Sequence, residues 1–183
     1  VRIRSSKLVL VDGSSYLFRA YHGLPPLTSS KGEPTGAIYG VVNMLQKLSA
    51  QFPSSHFAVV FDPKGRTSRY AMYPEYKANR SEAPEDLIQQ IAPLHAIIQA
   101  MGFPLVVVDG FEADDVIGTL TKQAEALGWE VLISTGDKDI AQLVNEKVSL
   151  VNTMTGKTLD VAGVVEKFGV RPNQMIDYLA LMG

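Results

Sequence analysis

Seven carboxylates occupy the places where this chain reads as leaving a β-strand. Leu8-Val9-Leu10-Val11 runs into Asp12, and Phe57-Ala58-Val59-Val60-Phe61 into Asp62. Leu105-Val106-Val107-Val108 is followed by Glu112, Asp114 and Asp115, and Val131-Leu132-Ile133 by Asp137 and Asp139. Each run is short, continuously apolar and rich in β-branched residues, the pattern of a strand buried on both faces. In an open α/β sheet the loops beyond the carboxyl ends of parallel strands empty into one crevice, so acids distant in sequence converge there. Crowded carboxylates take up protons or recruit cations, and an oxygen-only donor set suits hard ions such as Mg²⁺ and Mn²⁺.

Any one of these acids has a plainer explanation. A lone Asp after a strand is a helix N-cap or a turn residue, and an acid in a first turn gains about 0.3–1 kcal/mol from the helix dipole. Asp137-Lys138-Asp139 alone reads as a turn with an internal ion pair. Recurrence at four strand ends is what separates a metal-binding array from four coincidental caps.

A second constellation lies between Pro63 and Arg80, where Lys64, Arg66, Arg69, Lys77 and Arg80 face a single acid, Glu75. Tyr70, Tyr73 and Tyr76 are interleaved with these bases. Rings that stack on bases beside cations that pair with phosphates are the equipment of single-strand nucleic-acid binding. On a continuous helix Arg69, Tyr73, Tyr76, Lys77 and Arg80 would share a face. Pro74 interrupts such a helix, so the segment is expected to be kinked or to become helical only with nucleic acid bound.

The elements needed to position these groups follow from periodicity. Strand-like runs alternate with helical patterns, which predicts βαβ units around a mostly parallel sheet: a three-layer α/β fold with the acidic cleft at the strand carboxyl ends. Ser14 or Ser15 is expected to cap a helix through Tyr16, Leu17 and Ala20 that Pro25-Pro26 stops. Ile38, Val41, Val42, Leu45 and Leu48 form the apolar stripe of a second helix. Leu87, Ile91, Leu94 and Ile98 mark a third, opened at Pro84 and closed by Gly102. A fourth runs from Glu112 to Leu127 with Gly128 past its end. Beyond Asp139 the pattern predicts a short helix, a strand at Val148 to Val151, and helices around Val161 to Phe168 and Pro172 to Leu181.

With 183 residues, 46% of them hydrophobic, the chain suffices for one well-cored domain. It contains no Cys, which removes disulfide frameworks and thiolate metal sites. It has no apolar run of membrane-spanning length and no signal-peptide pattern, so the expectation is a cytoplasmic protein with no membrane partner. The net charge of −2 hides the basic segment described above. Gly156-Lys157-Thr158 resembles the end of a phosphate-binding loop, but its first Gly would fall at position 151, which is Val. His22, His56 and His95 lack paired spacing for zinc, and no His accompanies Ser14 or Ser15 in a nucleophilic motif.

Taken in order, Val11-Asp12-Gly13-Ser14-Ser15, Val60-Phe61-Asp62, Glu112-Ala113-Asp114-Asp115-Val116-Ile117-Gly118 and Ser134-Thr135-Gly136-Asp137-Lys138-Asp139 resemble the 5′ nuclease domain of bacterial DNA polymerase I enzymes, in the flap endonuclease family. The resemblance runs from about Lys7 to the end of the chain. Tyr76-Lys77-Ala78-Asn79-Arg80 resembles the family's Tyr-Lys-x-x-Arg in the arch above the active site, and Arg19 a substrate-contacting Arg. The resemblance implies a PIN-like 5′ nuclease fold and a divalent-metal-dependent 5′-to-3′ exonuclease and flap endonuclease acting on 5′ ends and flaps of duplex DNA. It also implies that RNA primers in RNA–DNA hybrids are substrates and that a polymerase region is joined to the domain.

The same resemblance assigns Asp12, Asp62, Glu112, Asp114, Asp115, Asp137 and Asp139 to two or more Mg²⁺ or Mn²⁺ ions. It assigns Lys77 and Arg80 to catalysis, and Arg19, Arg69, Tyr73, Tyr76, Lys77 and Arg80 to DNA. Residues 1–183 then read as the N-terminal part of a single nuclease domain, with an arch segment at about 63–83. Ser68 stands where many relatives carry an aromatic residue before the arch Arg. Two further metal-ligand aspartates and a helix-hairpin-helix motif are expected beyond Gly183, so this stretch is expected to hold a largely assembled but incomplete site. Two other readings stay open: a DNA-binding fragment with little turnover, and a related metal-dependent RNase on a similar acidic α/β core.

Overall fold

In the computed structural model, residues 6–54, 56–79, 82–152 and 155–182 are described. The sheet is built from β1 (Lys7–Asp12), β2 (His56–Phe61), β3 (Leu105–Val107), β4 (Glu130–Ser134), β5 (Val148–Val151) and β6 (Thr158–Leu159). Its strand order is β3-β2-β1-β4-β5-β6, parallel throughout except for the β5–β6 pairing. β6, a two-residue antiparallel edge, is the strand that the apolar pattern does not announce, since one exposed Thr and one half-buried Leu carry no periodicity.

The helices are α1 (Gly13–Gly23), α2 (Gly36–Gln51), α3 (Ser68–Met72), α4 (Glu85–Ala100), α5 (Ala113–Ala126), α6 (Val161–Phe168) and α7 (Met175–Met182), with 3-10 turns at Asp139–Leu143 and Pro172–Gln174. Successive strand residues alternate between two cores because side chains on a pleated strand point to opposite faces. Val9, Val11, Val59, Phe61 and Leu132 join α1, α2 and α4 on one face. Leu10, Ala58, Val60, Val131 and Ile133 join α5, α6 and α7 on the other. This is why the strand runs are continuously apolar, and it makes the three layers expected from the sequence.

Local chemistry fixes how the layers meet. Gly40 of α2 lies against Ala20 of α1, where a Cβ would come within 2.6 Å of the Ala20 Cβ, so glycine sets the helix spacing. The first turn of α2 lacks a side-chain cap of its own. Buried Gln90 of α4 serves instead, accepting from the Ala37 and Ile38 N–H groups at 2.8 and 3.2 Å. Gly128, in the left-handed region at φ 77, ends α5 as its position predicts. No helix among the described residues is long and apolar enough to cross a membrane.

Connections from β1 lead to β2 and β3 on one side and, later, to β4 and β5 on the other. The strand order thus reverses between β1 and β4, where crevices open in α/β sheets.

Candidate metal centre and nucleic-acid face

Asp12 closes β1 and caps α1 at once. One carboxylate oxygen accepts from the Ser15 N–H at 2.9 Å and the other from the Thr135 hydroxyl at 2.7 Å. The cap expected at Ser14 or Ser15 is therefore Asp12, because the helix begins immediately at Gly13. The two serines do a different job. Ser14 Oγ accepts from the Asp62 N–H at 2.9 Å, and Ser15 Oγ from the Gly136 N–H at 3.1 Å. Thr135 Oγ1 also accepts from the Asp137 N–H at 3.0 Å. Small hydroxyls thereby tie the loops after β2 and β4 to the first turn of α1. Sequence reasoning missed this, since three hydroxyls next to acids look like ordinary caps until the loops they bridge are brought together.

The remaining acids are placed by α5. Asp62 reaches its N-terminus, where one carboxylate oxygen accepts from the Ala113 N–H at 2.7 Å. Glu112 is the N-cap and forms a capping box with Asp115. Asp12, Asp62, Glu112, Asp114 and Asp137 line one cleft of about 510 Å³, together with Ser14, Ser15 and Lys77. Asp115 and Asp139 line a neighbouring cavity of about 730 Å³ that meets the first at Asp114. The seven strand-end acids thus converge on two adjoining hollows.

Electrostatics marks the crowding. Burial raises the Asp114 carboxyl to about 7, reinforced by Asp12, Asp137, Asp62 and Glu112. Burial also raises Asp12, against the opposing hydrogen bonds from Ser15 and Thr135. Asp139 is raised by burial and by Asp137. Every donor here is a hard oxygen, which fits Mg²⁺ or Mn²⁺ and not a soft ion. Among the described residues no three carboxylates are gathered closely enough to hold an ion by themselves. An ion here would complete its shell with water, as Mg²⁺ does when held by one or two carboxylates.

The basic segment folds down on these acids. Lys77 Nζ lies 2.8 Å from Glu112 Oε1, and the Tyr76 hydroxyl donates to Glu112 Oε2 at 3.1 Å. Arg69 Nη2 lies 2.6 Å from Asp115 Oδ1. The guanidinium also sits 5.7 Å from the Tyr76 ring centre, and the Lys77 ammonium 4.9 Å from it. Burial works against the Lys77 ammonium, yet its bonds to Glu112 and Tyr76 leave its pKa raised. Lys77 has φ 56, alone among the described non-glycine residues in the left-handed region, a conformation that costs about 1–3 kcal/mol.

The expected helical face is not formed. α3 ends at Met72, and residues 74–79 are turns, because Pro74 lacks the N–H a continuing helix needs. Tyr73 consequently turns out to solvent, donating to Glu75 at 2.9 Å, while Tyr76 and Lys77 turn in. Arg80 lies outside the described residues. Arg19, on α1, lies against Gly136 at the cleft.

A family model described as the 5′-3′ exonuclease N-terminal, resolvase-like domain matches residues 7–169. DNA polymerase I of Pseudomonas aeruginosa is 62% identical over 176 residues, covering 96% of this chain and 19% of that protein. The 5′-3′ exonuclease of Aquifex aeolicus is 42% identical, covering 96% of this chain and 61% of that protein. This chain thus spans about a fifth of the first relative's length and about three fifths of the second's. Among solved structures, the bacteriophage T5 flap endonuclease in a pseudo-enzyme-product complex with DNA and metal ions superposes with a TM-score of 0.75 at 25% identity, over 97% of this chain and 66% of that one. The match begins at β1, includes every acid discussed above and ends just past α6, so the chain belongs to the family of 5′-3′ exonuclease N-terminal, resolvase-like domains.

Proposed function

We propose that this chain carries the acidic centre and basic wall of a metal-dependent 5′ nuclease that hydrolyses phosphodiesters at 5′ ends and 5′ flaps of duplex DNA, in primer removal and repair. The observation that carries this reading is the cleft in which Asp12, Asp62, Glu112, Asp137 and the proton-hungry Asp114 meet. The T5 flap endonuclease, of the same fold and solved with DNA and metal ions, supports it. Mg²⁺, or Mn²⁺ in its place, is the cofactor that suits the oxygen donors, with two or more ions in the intact domain. Such ions supply activated water and offset charge on the phosphate.

The chain's own residues do the rest. Asp12, Asp62, Glu112, Asp114 and Asp137 supply oxygens in the cleft, and Asp115 and Asp139 supply them beside it. Thr135, Ser14 and Ser15 hold the loops that carry three of these acids at fixed spacing. Lys77 and Arg69 face the acids from the opposite wall, where their charge would be shared with an entering phosphate. Tyr76 offers a ring for a base to stack on, and Arg80 is assigned to the phosphate with Lys77. RNA primers in RNA–DNA hybrids are a second substrate, the partner region is a polymerase, and the compartment is the cytoplasm.

The test is cleavage of a 5′-flap duplex in Mg²⁺ and in Mn²⁺, with EDTA and Asp114→Asn as controls. Metal-dependent cutting lost in Asp114→Asn supports the reading. Flap binding without cutting would replace it with a DNA-binding function, and preferential cutting of RNA with a metal-dependent RNase.

A further inference from the structure

Gly136 sits in the loop after β4, on the wall of the acidic cleft. Its backbone does not need glycine, since it is not among the residues with positive φ. Space is what glycine provides. A Cβ at this position would clash with Arg19 Nη2, and would lie 3.1 Å from Arg19 Cζ and 3.0 Å from Ser15 Oγ. Ser15 and Arg19 are four residues apart on α1 and so share one face of that helix. Ser15 fastens the loop through the Gly136 N–H at 3.1 Å, and Arg19 lays its guanidinium over the same glycine. Asp137, the next residue, faces the cleft.

We propose that Gly136 is a positioning residue for Arg19: the missing side chain is the seat of the guanidinium, which thereby meets a substrate phosphate at a fixed place on the rim of the acid cleft. A planar guanidinium held in one orientation presents paired donors that match phosphate oxygens. That the anion is a nucleic-acid phosphate rests on the nuclease reading above, whereas the seat itself does not. Because the clashing atoms are the far end of a flexible side chain, a methyl group at 136 evicts the guanidinium without disturbing the core.

Three variants test this: Gly136→Ala, Arg19→Ala and the double. The readouts are the Arg19 Nε–Hε NMR signal of the metal-free protein, the thermal midpoint, and the affinity for a 5′-flap duplex in Ca²⁺ over a range of salt. Gly136→Ala is expected to move the Arg19 signal while shifting the midpoint by less than about 2 °C. It should weaken flap binding about tenfold and lower the salt slope by about 1, as loss of one phosphate contact does. The double variant should bind no more weakly than Arg19→Ala. An unmoved Arg19 signal, unchanged binding by Gly136→Ala, or losses that multiply in the double would overturn the proposal. If the unsubstituted protein fails to bind the flap, the nuclease reading falls on its own, and the NMR signal alone decides the seat.

Discussion

Asp114 is the residue whose environment is least comfortable. Burial and four neighbouring acids raise its carboxyl to about 7 in the fold, against an ordinary value of 3.8. Between those two values the folded chain holds a proton that the unfolded chain has released. The contribution of Asp114 to the stability of the metal-free protein is therefore expected to fall as pH rises from about 4 to about 7 and then to level off, opposed in part by His95, whose pKa burial lowers. A divalent cation bound among the acids removes the cost, so Mg²⁺ should stabilise more at pH 8 than at pH 5. In EDTA at pH 8, Asp114→Asn should raise the melting temperature by about 2–4 °C, the shift that ~1 kcal/mol produces in a chain of this size, after discounting for solvent reaching the carboxylate. Thermal melts at the two pH values, with and without Mg²⁺, check both statements. A pH dependence in EDTA that Asp114→Asn leaves unchanged would remove the repulsion on which the proposed metal centre rests.

The segment around α3 buries little apolar surface against the body. None of its helical residues is buried, and Met72 and Tyr73 are exposed. A backbone bond from the Ser68 N–H to the Gly110 carbonyl at 2.7 Å anchors its start, and beyond that it is held to the body through Lys77–Glu112, Arg69–Asp115 and Tyr76–Glu112, so charge carries the docking of its far end. A cation bound at Glu112 or Asp115 competes for the same oxygens. Millimolar Mg²⁺ is therefore expected to speed tryptic cleavage after Arg69 and Lys77 relative to EDTA, an effect that Glu112→Gln should reduce. Equal cleavage rates would mean that ions and ion pairs coexist. The sequence displayed the bases and rings of this element, and Pro74 announced the break in its helix. Which rings turn inward was not legible, because that depends on acids brought from 35 to 46 residues away.

At the scale of the whole molecule, two apolar cores clamp a sheet whose centre, β1 and β4, is buried on both faces. Val9, Val11 and Ile133 have no solvent exposure, and the Tyr16 hydroxyl lies 2.6 Å from Ser134 Oγ beneath the cleft. Amide exchange should accordingly be slowest at Val9 to Val11 and Leu132 to Ser134, opening only with global unfolding, and fastest in residues 73–79. Fast exchange in β1 would show that the acids stand on a softer platform than the packing implies. The sequence by itself determined β1 to β5, the main helices, the parallel α/β class and the position of the acids at strand ends, because apolar periodicity and strand-end position are local properties of the chain, whereas the two residues of β6 carry no such pattern. Only the tertiary structure decided the rest: the division of those acids between two adjoining hollows, the hydroxyls of Ser14, Ser15 and Thr135 that space them, the inward turn of Tyr76 and Lys77, and the seat of Arg19 on Gly136. Each of these depends on distances between loops far apart in sequence, which no local pattern encodes and which strand order and helix packing set together.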